Sequence, residues 1–329
     1  MPIEQQHELF DLYCLRLRSN DNIPVEHLSH LIGLLGGRKS QSTRSDLFDE
    51  LERVGESNQG RFVELAMGLD GQYINNRGFQ VTWFPFAQEI EVGAALKEQI
   101  EEMFGLHPDA FLPQYDTTSR NPYVARVFKG SISALKIQYV IPKFGATRKT
   151  PAGVKEAAPT ISEPRAVIRP NGIEVRASGS LSDLVAADIH STLCHLGYFP
   201  GDLQDPVSVL RRATFWRIVE RLNARIIEYH GLDNNRDSKT VARGAWEDAV
   251  EIGRRDLRAL AQTNQAVANH LALDFMAANI EFDFQHADGF LEKNLGIELK
   301  RGYIRISSRT SEAALEHFWR AFMDAIHIR

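Results

Sequence analysis

The fold is decided by the stretch Arg165–Ala177, which reads RAVIRPNGIEVRA. Two runs rich in β-branched residues flank Asn171-Gly172, and such a pair tolerates the positive φ angles of a tight hairpin turn. The runs are therefore predicted to pair as antiparallel neighbours. Pro170 cannot donate a ladder hydrogen bond, so it is expected at the end of a strand or on an edge.

Other strand patterns also come in local pairs. Short stretches of β-forming residues predict five further strands, at Tyr123–Phe128, Leu135–Ile141, Asn279–Phe284, Gly296–Lys300 and Tyr303–Ser307. Because these strands do not alternate with helices, a doubly wound parallel sheet is not expected. The predicted fold class is α+β, with a helical N-terminal domain followed by a larger domain of antiparallel β-hairpins covered by helices.

Helical periodicity predicts four short helices between residues 3 and 69. Further helices are predicted at Glu89–Phe104, Ser182–Leu196, Ser208–Tyr229, from Ala245 to at least Leu260, and at Ser311–Met323. The apolar stretch Thr82–Phe86, interrupted by a proline, is interpreted as a connector packed onto a core.

The order of these elements predicts four regions. Residues 1–70 form a helical domain and candidate DNA-binding module, and residues 71–142 hold a helix and β-strands. Residues 143–164 lack periodicity and are interpreted as a basic loop or linker. Residues 165–329 form the α+β C-terminal domain.

Composition sets limits on the class of protein. Hydrophobic residues make up 43% and charged residues 25% of the 329 residues, which is typical of globular proteins. The net charge of −5 argues against a globally basic nucleic-acid coat but allows a local basic face. The two cysteines are predicted to be buried free thiols. With neither a membrane-length apolar run nor a signal-peptide pattern, the expected location is cytoplasmic or otherwise intracellular, with no membrane partner.

The N-terminal stretch Ile23–Val54 holds two short amphipathic helical patterns around a basic, glycine-containing turn. The order of its residues resembles the SAP family of small DNA-binding modules, with matching positions at Leu28, Leu31, Leu35, Gly37, Arg44, Leu47 and Leu51. The resemblance covers about a tenth of the chain. It implies that Arg38, Lys39 and Arg44 contact phosphates, assisted by Ser40, Ser42 and Thr43. The alternative is a helical module for packing or protein interaction.

A second basic feature is an arginine stripe. Arg217, Arg221 and Arg225 are spaced four apart on the predicted helix Ser208–Tyr229, so they are expected on one face. Guanidinium groups in a row suit phosphate contacts. Basic residues of the predicted loop, Lys143, Arg148 and Lys149, are added to this surface. The alternative is a solvated face whose arginines pair with nearby Asp or Glu.

One pattern indicates catalysis. Asp288 precedes a strand that ends in Glu298-Leu299-Lys300, and an acid followed by Glu-x-Lys resembles the PD-(D/E)xK nuclease superfamily. The resemblance implies that Asp288 and Glu298 hold Mg²⁺ and that Lys300 lies beside the nucleophile. The alternative is an antiparallel sheet whose outward residues form cross-strand charge pairs.

Motifs of other enzyme classes are absent from the sequence. It has no glycine-rich dinucleotide motif, Walker loop or nucleophile elbow, which disfavours nucleotide-dependent enzymes and serine hydrolases. The leading hypothesis is a non-enzymatic accessory protein that binds the phosphate backbone of DNA or another nucleic acid, acts with a protein partner and needs no cofactor. A Mg²⁺-dependent PD-(D/E)xK-type nuclease is the first alternative, and a protein–protein interaction scaffold is the second.

Overall fold

The computed structural model describes residues 3–38, 43–69, 72–73, 79–106, 123–129, 134–143, 147–149, 155–157, 160–177, 180–203, 210–233, 238–243, 256–300, 303–306 and 310–327. The helices in these ranges are α1 (Ile3–Arg18), α2 (Val25–Leu34), α3 (Arg44–Glu56), α4 (Gln59–Leu69), α5 (Ala94–Phe104), α6 (Ser180–His195), α7 (Arg212–Arg221), α8 (Leu257–Ala261), α9 (Gln265–Leu271) and α10 (Glu312–His327). The strands are β1 (Gln80–Pro85), β2 (Tyr123–Lys129), β3 (Leu135–Lys143), β4 (Thr147–Lys149), β5 (Lys155–Ala157), β6 (Thr160–Ser162), β7 (Arg165–Arg169), β8 (Gly172–Arg176), β9 (Arg225–Asp233), β10 (Ser238–Arg243), β11 (Asp274–Gln285), β12 (Leu291–Lys300) and β13 (Tyr303–Ile306).

The chain divides into two compact units, each built from separate segments. Unit 1 comprises Met1–Gly78, Arg212–Glu298 and Ile306–Arg329, and unit 2 comprises Phe79–Arg211 and Leu299–Arg305. Each unit combines segments that are distant in the sequence, whereas the predicted regions, such as 1–70 and 165–329, are continuous.

Unit 1 begins with the four predicted helices, α1 to α4. Their apolar faces form one core, which includes Phe10, Leu17, Leu28, Leu31, Leu47, Phe62 and Tyr73. A capping box starts α3, since the Thr43 hydroxyl accepts a hydrogen bond from Asp46 N and the Asp46 carboxylate accepts one from Thr43 N. The helix pair predicted within Ile23–Val54 is therefore confirmed.

The rest of unit 1 is an antiparallel sheet in the order β10-β9-β11-β12, and α7 packs against α10. The hairpin that joins β11 to β12 closes with hydrogen bonds from His286 N to Phe290 O (2.8 Å) and from Gly289 N to His286 O (3.0 Å). Gly289 has a φ of +85°, which a glycine adopts without strain. This tight turn forms one side of the site described below.

Unit 2 contains the sheet strands β13-β1-β8-β7-β3-β2, hydrogen-bonded in this order, with β6 also paired to β3. The predicted hairpin is confirmed as β7 and β8, in which Arg165 pairs with Arg176 and Arg169 with Gly172. Its turn lies one residue earlier than predicted, at Pro170 and Asn171, and neither Asn171 nor Gly172 has a positive φ. Apolar residues of α5 and α6 share a core with this sheet, for example Ile100 and Ile189 with Ile173. The pairs β1–β13, β1–β8, β2–β3, β3–β7 and β7–β8 are all antiparallel, which confirms the α+β class.

The predicted helix Ser208–Tyr229 is wrong. Helix α7 ends at Arg221 and β9 begins at Arg225. Asn223 adopts a left-handed φ of +47°, and Ala224 N donates back to Val219 O, which is a common way to end a helix. The β-branched residues that follow then pair with β11, so the apolar spacing over 222–229 reflected a strand.

Three smaller predictions also need correction. Thr82–Phe86 is not a connector, since most of it belongs to the strand β1. Pro85 is the last residue of that strand, where its lack of a backbone N–H does not interrupt the pairing. The interval 143–164 contains β4, β5 and β6. Cys194 is exposed, although both cysteines are free thiols as predicted. Of the helix predicted from Ala245 to Leu260, residues 245–255 lie outside the described ranges.

No helix in the part of the chain that the structure describes has the length and apolar character needed to cross a membrane.

Candidate metal centre

Three side chains of types that commonly bind metal ions lie close together in unit 1. His27 lies in the first turn of α2, and His286 and Asp288 lie in the turn between β11 and β12. One ligand atom from each lies within 4.8 Å of the other two. The side chains of His27, His286 and Asp288 are 2%, 8% and 19% exposed. Burying such polar groups costs free energy unless they have hydrogen-bond or metal partners, so each of these side chains needs such a partner.

Local structure explains how these residues meet. His27 lies on the face of α2 that also buries Leu28 and Leu31, and His30 follows one turn later. His30 Nε2 donates a hydrogen bond to the main-chain oxygen of Asp288 (3.0 Å). The Asp288 carboxylate accepts a hydrogen bond from Phe290 N (3.0 Å), which shapes the turn. Helix α2 therefore holds both the backbone and the side chain of Asp288.

Both ring nitrogens of His27 have partners. Nε2 lies 2.9 Å from the Asp288 carboxylate, and Nδ1 lies 2.9 Å from the hydroxyl of Tyr73. Because a carboxylate can only accept, Nε2 carries the proton of the neutral ring and Nδ1 accepts from Tyr73. Phe290 stacks on the imidazole with 3.9 Å between ring centroids and 14° between planes. The ring is fixed in both position and orientation.

His286 is held by a second acidic residue, Glu292. Its Nε2 lies 2.9 Å from the carboxylate of Glu292, which also accepts hydrogen bonds from the hydroxyl (2.7 Å) and the main-chain N–H (3.0 Å) of Ser311. Nε2 therefore carries a proton, so in the neutral ring the lone pair lies on Nδ1, which makes no hydrogen bond within the described residues. That nitrogen is available to an ion.

Ionisation of the cluster favours cation binding. Burial and the nearby His286 and His30 lower the pKa of His27, although Asp288 opposes the shift. Burial opposes ionisation of Asp288, but hydrogen bonds from His27 and from Phe290 N outweigh it and lower the pKa of the carboxyl group. Burial, together with Glu292 and Asp288, raises the pKa of Tyr73. At neutral pH the cluster thus presents a neutral imidazole at His27, the Asp288 carboxylate and an un-ionised phenol.

Two of the three ligand atoms lie close to the distance that a transition-metal ion requires. A tetrahedral ion with bonds of about 2.0–2.1 Å holds its ligand atoms roughly 3.3 Å apart. The Nε2–Oδ2 distance between His27 and Asp288 is 2.9 Å, so this pair needs to open by only ~0.4 Å. The third ligand must move closer. Two imidazoles and one carboxylate suit Zn²⁺ or Fe²⁺, whereas Mg²⁺ prefers oxygen ligands alone.

The structure does not bring together the residues of the predicted nuclease site. Asp288 lies in the turn before β12, and Glu298 lies roughly 23 Å along that strand from Leu291, at ~3.3 Å per residue. Lys300 follows two positions later, and its Nζ lies 5.3 Å from the centroid of the Tyr303 ring. A shared Mg²⁺ would require the two carboxylates at neighbouring strand ends, and here one strand separates them.

The basic residues of the SAP-like segment have different surroundings. The guanidinium of Arg44 donates to the carbonyl oxygens of Ile23 (2.6 Å) and Asn20 (2.5 Å), where it ties the start of α3 to the loop after α1. The Arg38 side chain is exposed, and its main-chain N–H donates to Glu50. Lys39, Ser40 and Ser42 lie outside the described residues.

The predicted arginine stripe does not form. Arg217 donates to Ala325 O, and Arg221 pairs with Asp324 at 2.9 Å, so both bind the end of α10. Arg225 begins β9 and donates to Asn294 (2.6 Å), beside Asp283. Lys143 lies at the end of β3, and Arg148 and Lys149 lie in β4, but their side chains are outside what is described.

Sequence reasoning missed most of the cluster. It selected Asp288, but for the wrong partners, and it passed over His27, Tyr73, His286 and Glu292. The available signals were two short pairs, His27-x-x-His30 on a helix and His286-x-Asp288 after a strand. Either spacing is compatible with a metal site, and neither reveals that the two pairs meet.

No family model matches this chain, and no curated protein matches it either. The site therefore has to be judged on its geometry and chemistry.

Proposed function

We propose that this protein is a metal-dependent hydrolytic enzyme with one divalent transition-metal ion, best matched by Zn²⁺, held by His27, His286 and Asp288. The supporting observation is the set of groups behind the two imidazoles. Nδ1 of His27 bonds to Tyr73 and Nε2 of His286 bonds to Glu292, which leaves His27 Nε2, beside Asp288, and His286 Nδ1 for the ion. Metal-binding histidines in other proteins donate the N–H of their far nitrogen to an acceptor. Glu292 is such an acceptor for His286, and the Tyr73 hydroxyl, which donates to His27 here, can also accept.

The number of ligands supports catalysis over a purely structural site. Structural zinc sites have four protein ligands, whereas catalytic sites have three and leave a position for water. The cluster offers three ligands within the described residues. A bound Zn²⁺ supplies Lewis acidity and lowers the pKa of water to about 7. The contribution of the chain is to bind the ion, to orient both imidazoles and to cover His27 with Phe290.

The earlier hypotheses have less support from the described residues. A Mg²⁺-dependent PD-(D/E)xK nuclease needs Asp288 and Glu298 on one ion, but Asp288 precedes β12 and Glu298 lies near the other end of that strand. Nucleic-acid binding through Arg38, Arg44 and the predicted stripe of Arg217, Arg221 and Arg225 stays a prediction. Of these five guanidinium groups, all but that of Arg38 bond to protein atoms. A protein partner and a scaffold role also stay predictions.

The metal site is tested by equilibrium Zn²⁺ binding, measured by competition with a chromophoric chelator on protein first stripped of metal. We expect one ion per chain. His27→Gln, His286→Gln and Asp288→Asn should each weaken binding at least 100-fold. The matched control is His317→Gln, which changes a histidine of α10 outside the cluster and should leave affinity unchanged. Wild-type protein without stoichiometric binding, or ligand variants that bind normally, would refute the site.

The hydrolytic reaction is tested separately with two model esters, p-nitrophenyl acetate and bis(p-nitrophenyl) phosphate. We expect turnover of at least one ester by the Zn²⁺-loaded protein and its loss in Asp288→Asn, with His317→Gln again unaffected. Stoichiometric Zn²⁺ binding without turnover of either ester would contradict the hydrolytic role. Activity with Fe²⁺ and oxygen alone would instead favour an oxygenase, which the same ligand types also suit.

A further inference from the structure

We infer that Glu292 is a positioning residue that directs Nδ1 of His286 toward the ion and thereby sets the metal affinity of the site. The inference rests on the proposed metal site. Glu292 is the second residue of β12 and is 6% exposed. It is not one of the three candidate ligands, and its hydrogen bond to them is made to Nε2 of His286.

The Glu292 carboxylate is itself held by the start of α10. Its Oε1 accepts from Ser311 N, and its Oε2 accepts from Ser311 Oγ and His286 Nε2. Ser311 Oγ in turn accepts a hydrogen bond from Ala314 N, which caps the helix. Since a helix N-terminus favours negative charge, this location stabilises the carboxylate. Three donors fix both of its oxygens, so the carboxylate has one orientation.

This orientation determines which form of His286 is present. A carboxylate opposite Nε2 keeps the proton on that nitrogen, which leaves the lone pair on Nδ1. Without the carboxylate, the proton can move to Nδ1 and block the metal-binding atom. The hydroxyl of Ser311 lies 3.3 Å from Nε2 and is a weaker substitute, because a hydroxyl can donate as well as accept.

A purely structural role for Glu292 would predict a different result. If the residue only anchored α10, its replacement would lower the melting temperature without changing the His286 tautomer or the Zn²⁺ affinity of folded protein. Thr43→Ala provides the matched comparison, because it removes another helix cap, at α3, with no contact to the cluster. Loss of such a cap typically costs about 1 kcal/mol.

The experiment combines Zn²⁺ titration of the full chain with ¹⁵N NMR of the histidine rings in metal-free protein. For Glu292→Gln we expect Zn²⁺ binding 10- to 100-fold weaker and a His286 signal shifted away from the pure Nε2–H form. Ser311→Ala removes one donor to Glu292 and should weaken binding several-fold. Thr43→Ala should change neither reading.

The outcomes separate the two proposals. Zn²⁺ binding and a His286 tautomer that are unchanged in Glu292→Gln would overturn the role of Glu292 and leave the metal site intact. Wild-type protein that binds no Zn²⁺ would overturn the metal site and this inference with it. Should Glu292→Gln not fold, Ser311→Ala gives the same test, and normal Zn²⁺ affinity in that variant would overturn the inference.

Discussion

At the scale of single residues, His27 is the residue whose hydrogen bonds the proposed ion would change. With Asp288 on Nε2 and Tyr73 on Nδ1, the ring has no nitrogen left to take a proton from a substrate. An ion would replace the Nε2–Asp288 bond, and the proton of the ring would then lie on Nδ1. Tyr73 can accommodate that change because a hydroxyl both donates and accepts. This explains why a tyrosine, and not a phenylalanine, suits this buried position.

Tyr73→Phe should therefore weaken Zn²⁺ binding about tenfold, because the Nδ1 proton loses its acceptor. The change is measured by chelator competition, as for the ligand variants. Tyr13→Phe is the control, since Tyr13 is a buried tyrosine on α1 outside the cluster. Equal affinity in Tyr73→Phe and wild-type protein would show that the hydroxyl does not orient His27.

The two cysteines should differ sharply in reactivity. Burial, reinforced by Glu52 and Asp11, raises the pKa of the Cys14 thiol to about 12. Only the thiolate reacts, so at pH 8 roughly one Cys14 in 10⁴ is reactive. Cys194 is exposed. With iodoacetamide at pH 8, peptide mass spectrometry should find Cys194 modified first and Cys14 rising only as the pH approaches 10 or more. Equal rates at pH 8 would contradict the assigned environment of Cys14.

At the scale of secondary-structure elements, the sequence is informative where local chemistry decides the outcome. The β7–β8 hairpin forms where the sequence predicted it, although Pro170 and Asn171 make its turn and Gly172 already belongs to β8. The α2–α3 pair follows from its apolar spacing and cap. The boundary between α7 and β9 was missed because Arg217, Arg221 and Arg225 continue a helical spacing through it. The left-handed Asn223 that ends α7 is a weak signal, since asparagine occurs in many other positions.

Two glycines of the helical bundle test its packing. In α3, a Cβ added at Gly55 would lie 2.8 Å from the Phe62 ring and 2.9 Å from Phe10, whereas at Gly68 in α4 it would meet nothing within 4 Å. Gly55→Ala should destabilise the protein by about 1–3 kcal/mol through overpacking. Gly68→Ala should be neutral or stabilising by up to ~1 kcal/mol, because alanine favours helix.

Urea unfolding followed by circular dichroism compares the two glycine variants. A stabilising Gly55→Ala would mean that α3 and α4 do not pack as described.

At the scale of the whole molecule, the cluster depends on three segments of unit 1 that are far apart in sequence. His27 and Asp288 are 261 positions apart, and Ser311 belongs to yet another segment. Each local element around them was largely predictable from its pattern. Their meeting was not, because no local rule links a helix near the N-terminus to a hairpin near the C-terminus. Asp288 was found by its resemblance to a motif, but its true neighbours depend on the tertiary fold.

Zn²⁺ should stabilise unit 1 selectively. Binding to the folded form adds about 2.7 kcal/mol when the ion is at 100 times its dissociation constant. Hydrogen exchange followed by mass spectrometry should show slower exchange in α2, the 286–290 turn and the start of α10. Peptides from α5 and α6 of unit 2 serve as the internal control and should be unaffected. Equal protection of both units, or none in α2, would contradict a site at His27.

The most direct test of the central claim is X-ray absorption spectroscopy at the zinc edge, on protein loaded with one equivalent of Zn²⁺. The proposed site predicts two imidazole nitrogens and one carboxylate oxygen at about 2.0–2.2 Å, with a further light-atom ligand from solvent. The imidazole scattering should fall by half in His286→Gln. A sulfur ligand at about 2.3 Å, or an imidazole signal unchanged in both His27→Gln and His286→Gln, would show that the ion binds elsewhere.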